Sequence, residues 1–152
     1  EADLATIIAH SLMKEQMYTL SEYFTVIHYL KQMNISNFLQ IVKQNNISFA
    51  ARTHTAITAM LHKTVYKAVP NELQRMLNYL GGQTFETPLL IENSLEVPHK
   101  YCTLTVARSF LEMMKGKRCR NSISLQIFHM LNPKFAGSVL RDVIAHMTRK
   151  TY

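Results

Sequence analysis

Apolar side chains return every three or four positions along almost the whole chain, from Leu4, Ile7 and Ile8 to Val139, Leu140, Val143 and Ile144. That spacing follows the 3.6-residue turn of an α-helix and conflicts with the two-residue alternation of a half-buried strand. The turn-forming residues agree. Only 4 Gly and 4 Pro occur in 152 residues, too few for a sandwich or barrel that turns about every ten residues. Leu, Met, Ala, Lys and Gln recur instead and favour helix intrinsically.

The expected fold is therefore all-α, with about eight helices packed as stacked antiparallel helical hairpins. A TPR- or HEAT-like α-solenoid and an irregular helical bundle both satisfy this. The length predicts a single helical domain, 1–152, with one sizeable core. A first helix is expected from Ala2 to Leu20, facing inward through Leu4, Ile7, Ile8 and Leu12. Ser21 then caps a helix buried through Phe24, Ile27 and Leu30. After Asn34-Ile-Ser, Ser36 caps a short helix with Phe38, Ile41 and Val42 inside. A longer helix runs from Phe49 to about Ala68 through Ala50, His54, Ile57, Met60, Leu61 and Val65. Pro70 opens the next, with Leu73, Met76, Leu77 and Leu80 buried and Gly81-Gly82 as its stop.

Residues 83–97 have no stable period and read as an irregular connection. The helix Pro98–Lys115 is expected to organise the fold. Tyr101, Leu104, Ala107, Leu111 and Met114 form one stripe, and Cys102, Val106, Phe110 and Met113 form a second beside it. So wide an apolar arc needs cover on more than one side. A loop at 115–120 follows, then Asn121 or Ser122 caps a helix turned inward through Ile123, Ile127, Phe128 and Leu131. Asn132-Pro133 opens the last helix, whose stripe is Ala136, Val139, Leu140, Val143, Ile144 and Met147.

The formal net charge is +7, and it is unevenly spread. Between Tyr23 and Phe85 the only acid is Glu72, and after His99 the acids are Glu112 and Asp142. A positive field of this kind favours phosphates or an acidic protein face. The densest cations are Lys115, Lys117, Arg118 and Arg120, with Arg108 and Arg141 as extensions if their helices lie nearby. Clustered cations that each displace a counterion are what nucleic-acid binding needs. Single-strand recognition would also want exposed aromatics, and most aromatics here sit on apolar stripes.

Enzymatic signatures are missing. Gly81-Gly82 lacks the other glycines and the Lys of a nucleotide-binding loop, and neither Gly-x-Ser-x-Gly nor His-Glu-x-x-His occurs. The best metal constellation is His99 and Cys102, on one helical turn, with Cys119 and His129. It has no Cys-x-x-Cys knuckle, so neither metal nor cofactor is expected. Cys119 between Arg118 and Arg120 has the electrostatics of a thiolate but reads as a solvated thiol. Cys102 and Cys119 lie at opposite ends of a helix and its loop and are read as reduced, which suits the cytoplasm or nucleus.

Asn34-Ile-Ser and Asn46-Ile-Ser match the glycosylation pattern, and a secreted cytokine would use them, but so many short helices do not suit that fold. The start at Glu1 without Met reads as an excised or processed segment. No membrane span is expected. The function expected from these features is a non-catalytic helical interaction module that binds a protein partner or peptide in an inter-helix groove. The alternative is an RNA- or DNA-binding helical domain using segment 115–120 and the basic C-terminal half.

Overall fold

The computed structural model describes residues 1–81, 99–129 and 131–148. The connection expected at 83–97, Pro98, Gly82 and the cations Arg149 and Lys150 lie outside the described residues. The chain is all-α, as its periodicity requires. It forms two compact units, Glu1–Met113 and Met114–Tyr152. The first holds α1 (Ala2–His10), α2 (Leu20–Leu30), α3 (Ile35–Gln44), α4 (Ser48–Tyr66), α5 (Asn71–Tyr79) and α6 (Thr103–Met113). The second holds α7 (Lys117–His129) and α8 (Pro133–Thr148). Among the described residues the only sheet is a two-residue ladder, β1 (Met17–Tyr18) with β2 (His99–Lys100).

The single helix expected over Ala2–Leu20 is broken. After His10 the backbone widens into a π-helical turn, Ser11–Glu15, and Gln16 then takes a left-handed conformation at φ 54°. The buried Ser11 hydroxyl donates to the Met17 carbonyl at 2.7 Å and holds the bend. The redirected chain pairs antiparallel with β2, Met17 opposite Lys100 and Tyr18 opposite His99. The Tyr101 N–H extends the pairing by donating to the Gln16 carbonyl at 2.9 Å.

Helix starts follow side-chain caps. Thr19, rather than Ser21, begins α2: its hydroxyl accepts from the Glu22 N–H and the Glu22 carboxylate accepts from the Thr19 N–H. This reciprocal box satisfies two otherwise unpaired donors, and it shifts the buried side to Tyr23, Val26 and Leu30 while Phe24 stays exposed. Asn34, rather than Ser36, caps α3 by accepting from the Asn37 N–H at 3.2 Å. That helix buries Phe38, Leu39 and Val42.

The organising helix is α4. From Ala50 to Ala59 every residue except Arg52 and Ala56 is buried, and α1, α3, α5 and α6 all pack against it. Alanines and threonines fill this stretch, so neighbours approach closely at low mean hydropathy. That combination hides a core helix from hydropathy. Further along, Val65 is exposed.

The rotation expected of α6 holds only in part: Val106 and Met113 pack against the core, but most of the first stripe turns outward. Tyr101 is buried ahead of the helix, and the helix then buries Thr105 and Ser109. Leu104 is 68% exposed, Leu111 66% and Phe110 39%. Three contacts set this rotation. The ladder places Tyr101, the Glu112 carboxylate accepts from the Phe49 N–H at 2.6 Å, and the Arg108 guanidinium lies 4.6 Å from the Phe49 ring centroid. Arg108, Glu112, Thr105 and Ser109 share one side at helical spacing. Glu112 thereby caps α4, whose first turn has no cap of its own, with a charge sign suited to a helix N-terminus.

In the second unit, α7 begins at Lys117, four residues before the expected Asn121 cap. The basic segment is therefore a short turn running straight into the first helical turn rather than a loop. Asn132 caps α8 as expected, accepting from the Lys134 N–H at 3.1 Å, with Pro133 in the first helical position. The stripes expected to face inward do so only in part: Ile123 and Ala136 are half-buried. Of the same stripes, Ile127, Phe128, Leu131, Leu140 and Ile144 are exposed, as is Leu125 beside them.

Candidate functional site

Lys115, Lys117, Arg118 and Arg120 fall within the turn before α7 and its first helical turn, and all four are exposed. Cations at this end oppose the helix dipole, at a few tenths of a kcal/mol to about 1 kcal/mol each. Among the described residues no carboxylate pairs with them. The arrangement therefore gathers positive charge around a helix start that already favours an anion.

Arg141 lies on the separate helix α8 and is exposed. Arg108 belongs to the first unit, where its stacking on Phe49 gives it a packing task. His99 is in strand β2, and the next helix starts only at Thr103, so His99 and Cys102 do not share a helical turn. Both cysteines are half-buried thiols outside any disulfide, and the Cys102 sulfur lies 3.0 Å from the Thr105 hydroxyl. Among the described residues no three His, Cys, Asp or Glu side chains stand together as metal ligands. No described helix is long and apolar enough to cross a membrane.

Two features escaped the pattern of the sequence. The first is a buried polar layer around α4. Tyr18 packs on His54 with ring centroids 4.7 Å apart, and its hydroxyl meets the Thr58 hydroxyl at 2.8 Å. Both His54 ring nitrogens, the Thr53 and Thr55 hydroxyls, the Ser109 hydroxyl and the Tyr101 hydroxyl are buried without a hydrogen-bond partner among the described residues. Burial alone pushes His54 down to about 3. Burial likewise raises Tyr18 and Tyr101, opposed in part by the neighbouring Thr58 and Ser11 hydroxyls. The second feature is a groove between α3 and α5, built from two short helical stripes that share no sequence motif.

The chain matches no protein-family model, and no curated protein or solved structure is significantly similar to it.

Proposed function

We propose that this chain is a non-catalytic helical interaction module that docks a protein partner on apolar helix faces. The observation that carries the reading is that α7 and α8 leave Leu125, Ile127, Phe128, Leu131, Leu140 and Ile144 exposed. Large apolar side chains left exposed along two adjoining helices gain stability when a partner covers them, and exposed apolar surface of this kind marks an interface. The partner chemistry that fits is an amphipathic helix with acidic flanks, because Lys115, Lys117, Arg118 and Arg120 border the apolar residues in sequence.

The test compares capture from lysate by the full chain and by the Leu125→Glu, Phe128→Glu double variant, with and without nuclease, at high salt. A partner held by the wild-type chain after nuclease treatment and lost by the variant supports the reading. Retention by both proteins overturns it.

A second reading is favoured by the cations that oppose the α7 dipole: nucleic acid would neutralise them. It requires binding to a generic oligonucleotide that weakens steeply with salt and disappears in Arg118→Glu with Arg120→Glu.

A further inference from the structure

The α3–α5 groove has a volume of about 590 Å³, walled by Ile35, Ser36 and Leu39 from α3 and by Arg75, Asn78 and Tyr79 from α5. Ligand sites commonly span about 300–1,000 Å³. We propose that this groove is a binding site for a small monoanion with a flat apolar body, an aryl carboxylate in chemical class. The proposal does not depend on the partner surface considered above.

Its polar edge is made to donate. The Arg75 guanidinium carries five N–H donors and no acceptor, and among the described residues it has no ion-pair partner. Asn78 already uses its carbonyl oxygen to accept from the Gln74 amide at 3.0 Å, which leaves the Asn78 NH₂ as the group to offer. The exposed Ser36 hydroxyl is the third donor. No carboxylate is among the lining residues. A guanidinium beside two neutral donors selects a planar carboxylate, which it holds in fork geometry.

The rest of the lining selects the body of the ligand. Leu39 is 6% exposed and Ile35 half-buried, so they form an apolar floor, while the Tyr79 ring stands 68% exposed at the rim. A flat ring fits between them, with aromatic stacking geometry available at Tyr79. Length excludes a docked helix. Ile35 to Leu39 and Arg75 to Tyr79 are each four residues apart, about 6 Å at 1.5 Å per residue.

The probe is 2-naphthoate, titrated into the full ¹⁵N-labelled chain and followed by amide chemical shifts. Saturable shifts centred on Ser36, Asn78 and Tyr79 are expected. Neutral 2-naphthylmethanol and the Arg75→Gln variant should each bind at least about tenfold more weakly, the loss of one charge-assisted contact. Lys63→Gln removes the same charge from exposed α4 surface and should leave affinity unchanged. Arg75 is exposed, so its replacement leaves the core intact, and an unchanged spectrum away from the groove verifies this. Equal affinity for the alcohol, undiminished binding by Arg75→Gln, or shifts centred outside α3 and α5 would each overturn the site.

Discussion

His54 offers the sharpest test of the core. Its imidazole is fully buried against Tyr18, and neither ring nitrogen has a partner among the described residues. An unpaired buried polar group costs about 1–3 kcal/mol. His54→Met keeps the volume and helix preference while removing both nitrogens, and it gives up a ring contact worth about 0.5–1.5 kcal/mol. The difference is a net gain of roughly 1 kcal/mol at pH 7. Acid amplifies the difference. The folded protein holds His54 at about 3, below the ordinary 6.5, so between those values the unfolded chain binds a proton that the folded chain refuses. Stability is therefore complete above pH 6.5, falls as pH drops, and reaches its floor below about 3. At pH 5 the loss is about 2 kcal/mol, from RT ln(1 + 10^1.5). The assay is urea unfolding by far-ultraviolet circular dichroism at pH 7 and pH 5. The wild-type midpoint should fall by roughly 1 M more than that of the variant, using a slope of about 2 kcal/mol per M. Equal shifts in the two proteins would refute the reasoning, because His54 would then be solvated or partnered in the native state.

Three further changes probe other contacts. Glu112→Ala should cost about 1–2 kcal/mol in thermal unfolding by uncapping α4, and Glu112→Gln less, since an acceptor oxygen remains; identical losses would exclude the cap. On α6, Leu111→Gln should change stability by less than about 0.5 kcal/mol, whereas Ser109→Leu should overpack the α4 contact at about 1–3 kcal/mol; the reverse order would restore the hydropathic face. Arg118→Glu with Arg120→Glu should slow amide exchange in α7 by converting an unfavourable dipole interaction into a favourable one, worth about 0.3–1 kcal/mol per residue, and unchanged exchange would argue that the helix starts later.

Helix content was legible because the apolar period and the scarcity of Gly and Pro leave little else. The α5 stripe, Leu73 and Met76 with half-buried Leu77 and Leu80, came out as its period implies. Interior and exterior were harder. Hydropathy places Leu104 and Leu111 inside and Thr105 and Ser109 outside, yet the rotation of α6 is fixed by Tyr101, Arg108 and Glu112, through contacts with partners distant in sequence. The core role of α4 was hidden because Ala, Thr and His dominate its buried stretch. The break after His10 carries no Gly or Pro, since Gln16 adopts the left-handed conformation unaided. Among site residues, the clustering of Lys115, Lys117, Arg118 and Arg120 was plain from sequence, but their position at a helix start was not, because charge preference points the other way. Arg75 gave no signal, since a groove between two helices exists only after they pack.

The β1–β2 ladder carries a kinetic implication. It is only two residues wide, yet it joins positions 17–18 to 99–100 and seats Tyr101 in the core. Closing a chain segment of that span costs about 4 kcal/mol in entropy, so the pairing has little reason to form before α1–α5 have gathered. A ribosome would release most of this unit before its fastener. Refolding should accordingly end with a slow phase in which Tyr18 and Tyr101 lose solvent together, and a chain cut after α5 should hold helices without that closure.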